Sequence, residues 1–131
     1  MSYRNALLVS SLLLLSACSG ANETQTIGTT KLIQMPANAS KSDYRNAFTK
    51  ACDKTEVCQA VFFSADKPIT RLFPITTSTA DAVTAYYATD PNLDSNKQRL
   101  RWNCQKFTDT GADLCLTEVY LNEVLAPYHS K

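Results

Sequence analysis

The sequence predicts a disulfide-braced α+β domain: a small antiparallel sheet with helices on one face, in the order helix, hairpin, helix, hairpin. Three observations lead there. Apolar residues recur at helical spacing in some stretches and alternate with a period of two in others, so helices and half-buried strands share one short chain. Turn signals, Ala65-Asp66-Lys67-Pro68 and Thr108-Asp109-Thr110-Gly111, separate short apolar runs. Four cysteines, Cys52, Cys58, Cys104 and Cys115, make an even number that reads as two disulfides.

The elements follow in order. Ser42 can cap a helix whose first turn carries Asp43. Tyr44, Ala47, Phe48 and Ala51 then share one face, which predicts a helix from Asp43 to about Cys52. Val57 to Phe63 is short, apolar and aromatic; with the turn at Ala65 to Pro68 and the run Ile69 to Ile75 it predicts a hairpin. Pro74 makes the second of these strands an edge. Ser78 or Thr79 caps a second helix, with Ala80, Val83, Tyr86 and Tyr87 on its face, ending near Asp90 because Pro91 disfavours helix at the residue before it.

The last segment carries a register. Arg99 to Cys104 alternates polar and apolar, and a hairpin that faces Cys104 with Cys115 also faces Arg101 with Glu118 and Lys106 with Asp113. It sets Leu100 opposite Val119 and Trp102 opposite Thr117 as well. Each cross-strand charge pair contributes only about 0.2–1 kcal/mol, so the agreement of several pairs on one register is the argument. The alternative is an all-α disulfide-tied bundle, because Leu116, Val119, Tyr120 and Val124 also fit a helix face within Ala112 to Ala126.

The expected bridges are Cys52–Cys58 and Cys104–Cys115. On an unbroken helix Cys52 and Cys58 would project about 120° apart and sit roughly 9 Å apart along the axis, whereas a bridge needs Cα atoms within about 7 Å. Their pairing therefore requires the helix to break at Asp53 to Thr55. Zinc is the competing use of four cysteines, but the spacings are not those of close C-x2-C pairs and the single histidine, His129, lies at the C-terminus.

At the N-terminus, Arg4 precedes a mostly apolar run from Ala6 to Leu15, followed by the small residues Ser16 and Ala17. This is the plan of a secretory signal peptide, too short for a spanning helix of about twenty residues. Leu15-Ser16-Ala17-Cys18 resembles the lipobox of bacterial lipoproteins at every position. The resemblance covers the first eighteen residues only. It implies lipid on the Cys18 sulfur, cleavage before Cys18 and acylation of the new amine, hence palmitate-type chains that hold the protein to a membrane. Ser19, where lipoproteins retained in the inner membrane often carry Asp, points to the outer membrane and a periplasmic location.

The expected organisation is thus a signal peptide over 1–17, a lipidated cysteine and flexible tether over 18–40, and one globular domain over 41–131. The tether is rich in Ser, Thr, Asn and Ala and would reach on the order of 25 Å if unstructured. Inside it Thr29 to Met35 is unusually apolar. Leu32, Ile33 and Met35 either add a strand to a partner's sheet or pack on the chain's own domain.

The sequence counts 13 basic and 12 acidic residues, and the signal peptide removes Arg4, so the remainder balances. No nucleic-acid partner is expected from such a charge. There is no G-x-S-x-G, no phosphate-cradling glycine loop and no H-E-x-x-H. Neither catalysis, a cofactor nor a metal is expected. The expected role is a protein-binding or assembly module of the envelope, for example in a secretion or conjugation apparatus. The alternative is a periplasmic inhibitor or immunity protein that blocks a cell-wall-active enzyme. The candidate contact residues are Arg99, Arg101 and Tyr120 on the final hairpin, with Lys97 beside them, and Leu32, Ile33 and Met35.

Overall fold

The computed structural model describes residues 20–92 and 99–128. Its fold is α+β and braced by the two expected disulfides, Cys52–Cys58 and Cys104–Cys115, each with Cα atoms 5.5 Å apart. A five-stranded sheet runs in the order β1 (Asn22–Ile27), β2 (Thr30–Met35), β3 (Cys58–Ser64), β4 (Val83–Thr89), β5 (Arg99–Trp102). Strands β1 and β2 form a hairpin whose turn begins at Gly28, with φ 60°, a conformation that costs glycine nothing. Among the described residues no helix is long and apolar enough to cross a membrane.

Helix α1 (Lys41–Ala51) connects β2 to β3, which pair in parallel, as a helical crossover allows. Ser40 rather than Ser42 is its cap: the Ser40 hydroxyl accepts from the Asp43 N–H and the Asp43 carboxylate accepts from the Ser40 N–H. The helix stops at Ala51. Asp53 then turns the chain by accepting from the Thr55 N–H and hydroxyl, and these bonds hold its carboxyl below the usual carboxylate value. That break lets Cys52 reach Cys58.

Tyr44, Ala47 and Phe48 of α1 bury against Ile33, Met35, Ala60, Phe62, Ala85 and Trp102. Tyr44, Phe48, Phe62, Trp102 and Phe107 make a network of ring contacts with centroids 4.9–5.7 Å apart. Edge-to-face pairs of this kind add about 0.5–1.5 kcal/mol beyond area burial. The other face of the sheet is covered by residues 65–76, by α2 (Thr77–Ala82) and by α3 (Glu118–Leu125). Leu121, Val124 and Leu125 there meet Leu32, Val61, Phe63, Leu72, Val83 and Tyr86.

The details of the expected architecture change accordingly. The sheet is mixed rather than antiparallel, and helices cover both faces rather than one. The cause is the segment expected to be tether: residues 22–35 supply β1 and β2. Leu32 and Met35 are buried to 0% and 1% exposure, and β3 is buried at every position, so the strands at the sheet's centre need cover on both sides.

Ile69 to Ile75 is not a strand. It runs irregularly through a cis Phe73–Pro74 peptide, with Leu72 and Ile75 dipping into the core. The second helix is short, capped by Thr76, and gives way at Val83 to strand β4. Val83 to Thr89 is β-branched and aromatic, and burial on a sheet favours that composition over helix. The final hairpin is also absent. Strand β5 pairs with β4, and after the Cys104–Cys115 bridge the chain forms α3, capped by Thr117. The facing pairs Arg101–Glu118 and Leu100–Val119 therefore do not form, and the helical reading of the last segment describes residues 118–125 better.

Candidate functional site

Strand β5 alternates. Leu100 and Trp102 face α1, while Arg99 and Arg101 face the side covered by α3. In register, Arg101 lies beside Tyr86 of β4, and Tyr120 of α3 packs over this corner. The Arg101 guanidinium sits 4.7 Å from the centre of the Tyr120 ring, and its Nη1 donates to the Leu100 carbonyl at 2.9 Å. Tyr120 meets Tyr86 edge-on, with centroids 5.8 Å apart.

The electrostatics of this corner are uneven. The ion pair seen among the described residues is Lys41–Asp109, elsewhere on the surface, so neither arginine has a carboxylate within salt-bridge distance there. Burial raises the Tyr120 phenol above its ordinary value; Arg101 and Arg99 offset part of this and Glu123 adds to it. Burial raises Tyr86 much further, Tyr120 adds to it, and Arg99 offsets part. Arg99 is near enough to Tyr86 to act on its phenol, and by hydrogen-bond geometry the hydroxyls of Tyr86 and Tyr120 are both buried without a partner. Val119, next to Tyr120 on α3, is 77% exposed.

No protein-family model, curated protein or solved structure matches this chain. The site is therefore read from its own geometry. Two guanidiniums on one strand face, one of them over a tyrosine ring, are suited to receiving an anion.

The structure brings Arg99, Arg101 and Tyr120 together, as the sequence suggested, but by packing α3 over the sheet rather than by a hairpin. It does not join Leu32, Ile33 and Met35 to them as a docking segment. Those residues are core, on strand β2, and are inaccessible to a partner. Cys18, Lys97 and His129 lie outside the described residues.

Sequence reasoning missed Tyr86, assigned to a helix; the β-branched and aromatic run Val83 to Thr89 was the available signal. It also missed a groove of ≈ 380 Å³ between β1 and α1, floored by Ile33 and Ala47 and rimmed by Glu23, Asp43 and Lys50. Nothing in the pattern of residues 19–40 announced a wall for that groove. A third cluster places Lys41 and Arg45 over Trp102, at 5.2 and 5.9 Å from the ring centre, where Lys41 also pairs with Asp109.

Proposed function

We propose that this chain is an envelope lipoprotein, held through lipid on Cys18 to the outer membrane and facing the periplasm, whose head holds a protein partner and does not turn over a substrate. The partner-holding role is that of an assembly module, such as a component of a secretion or conjugation apparatus. The observation that carries the reading is the Arg101–Tyr120 contact beside Arg99. It is a half-buried cationic surface with no carboxylate within salt-bridge distance among the described residues. Interface anchors are commonly Arg and Tyr, because each offers a large contact area and directed hydrogen bonds at modest entropic cost.

The anchor is tested by mass spectrometry of the membrane-extracted protein, with acylated Cys18 as the expected terminus; any other mature terminus ends that part of the reading. Partner holding is tested by affinity purification of the tagged lipoprotein from its own envelope, beside a variant with Arg99, Arg101 and Tyr120 replaced by alanine and its fold verified by circular dichroism. Wild type is expected to bring down a defined protein that the variant loses. Recovery within a large complex identifies an assembly component. A one-to-one complex with a single enzyme makes the protein an inhibitor instead, and recovery of no partner sinks the binding role.

A further inference from the structure

The described fold begins at Gly20, which adopts φ +63° against the proline that follows β2: a Cβ there would lie 2.5 Å from Pro36 Cγ. The backbone at Gly20 is thus seated on the domain, two residues after Cys18. Two extended residues reach at most about 7 Å. Lipid on Cys18 would therefore leave only a short leash, attached beside β1. Strand β1 is one edge of the sheet and β5 is the other. Four strand spacings of about 4.8 Å separate them by roughly 19 Å. Arg99 and Arg101 therefore lie at the sheet edge farthest from the leash.

The outward carbonyls of β5 are already taken. The Leu116 N–H already donates to the Trp102 carbonyl at 2.7 Å, and Arg101 Nη1 takes the Leu100 carbonyl. Both of these edge acceptors are occupied, which leaves the arginine side chains as the main donors at this edge. Arg101 spends one of its five N–H donors on Leu100 and keeps the rest. Its guanidinium is held by the Tyr120 ring, 4.7 Å away, and by the Leu100 carbonyl, so less freedom is lost when an anion docks.

Resting on the partner-holding reading above, and on Cys18 for orientation, we propose that Arg99 and Arg101 receive a carboxylate-bearing segment of a partner protein at the sheet edge opposite the lipid leash. Charge complementarity selects the acidic partner. The partner-holding reading supplies the protein, and the anionic headgroups of the anchoring membrane are the competing outcome of the test.

The test uses the mature lipoprotein in phosphatidylcholine nanodiscs and a fluorescein-labelled deca-glutamate peptide, read by fluorescence anisotropy at low salt. Wild type is expected to bind saturably. Arg99→Gln with Arg101→Gln should weaken binding by about tenfold or more. Arg101→Lys, which keeps the charge but loses the planar fork, should weaken it by several-fold. Lys41→Gln with Arg45→Gln, at the other cationic cluster, should leave it within about twofold. Circular dichroism checks each fold. Absence of saturable binding, equal loss in both double variants, or displacement of the peptide by phosphatidylglycerol vesicles at matched charge would each overturn the proposal. Partner capture reads separately. An Arg99→Gln, Arg101→Gln lipoprotein that still captures the wild-type partner removes this site and leaves the partner-holding reading standing.

Discussion

Tyr44 and Tyr86 are both fully buried tyrosines, yet their hydroxyls have opposite worth. Tyr44 donates to the Thr84 hydroxyl at 2.8 Å, while the Tyr86 hydroxyl has no hydrogen-bond partner. Removing one partner of a buried bond strands the other, at a cost of about 1–3 kcal/mol, whereas deleting an unsatisfied hydroxyl removes a desolvation penalty. Tyr44→Phe is therefore expected to lower stability by about 1 kcal/mol or somewhat more. Tyr86→Phe is expected to leave it unchanged or raise it. Urea unfolding of the two variants beside wild type decides this, and a Tyr86→Phe loss as large as that of Tyr44→Phe would mean that its hydroxyl is satisfied after all. At Arg101 the same scale predicts little for stability. Its cation–π contact with Tyr120 is partly exposed and is worth about 0.5–1 kcal/mol. A loss of partner binding on its removal would therefore reflect the interface rather than the fold.

Among the elements, β2 shows most plainly how position in the fold overrides local composition. Thr30–Met35 lies between β1 and β3, pairs with both, and puts Leu32 on the α3 side while Ile33 and Met35 face α1. Truncating a fully buried leucine removes its transfer energy and leaves a cavity, which costs about 2–5 kcal/mol. Leu32→Ala is expected to lower the thermal midpoint by many degrees. Removal of residues 20–35 should abolish cooperative unfolding, since both sheet faces would lose core. A near-wild-type melting curve for the shortened chain, recorded by circular dichroism, would return this segment to the status of a spacer. The helices obey more local rules. Ser40 and Asp43 satisfy each other's backbone donors at the start of α1, and Thr76 and Thr117 cap α2 and α3 by accepting from Thr79 and Tyr120.

At the scale of the whole molecule, three buried phenols link stability to pH. Tyr44, Tyr86 and Tyr120 are all raised above the ordinary value, in each case chiefly by burial. Between the unfolded value of about 10 and the higher folded values, the unfolded chain loses protons that the native chain retains. The contribution is fully present below about pH 10 and is lost as the pH rises through the folded values. The thermal midpoint is expected to fall steeply above about pH 10, and Tyr86→Phe should flatten that fall. Differential scanning calorimetry at about pH 9 and about pH 11 measures both; an equal midpoint at the two would contradict the burial of these rings. The disulfides act on the other side of the equilibrium. Each closes a short loop in the unfolded chain, and by chain entropy each contributes about 2–3 kcal/mol. That is a substantial share for a domain of this size.

What the sequence determined by itself is what depends on near neighbours. Tyr44, Ala47 and Phe48 mark a helix face by spacing alone. The polar break after Cys52 permits a bridge to Cys58, and the turn between Cys104 and Cys115 permits the other. An α+β domain braced by those bridges follows from these local facts. The grouping of Arg99, Arg101 and Tyr120 was legible too, although by a register that does not form. Only the tertiary structure decided the rest, because it rests on partners far away in the chain. Residues 22–35 look like a spacer until β3 offers β2 a parallel ladder across 29 residues, from Thr30 to Gln59. Val83 to Thr89 fits a helix face until β3 and β5 flank it, and Glu118 to Leu125 fits a strand until the exposed face between β4 and β5 needs a cover. Short apolar runs satisfy both periods, so burial against a distant surface, and not local preference, selects between them.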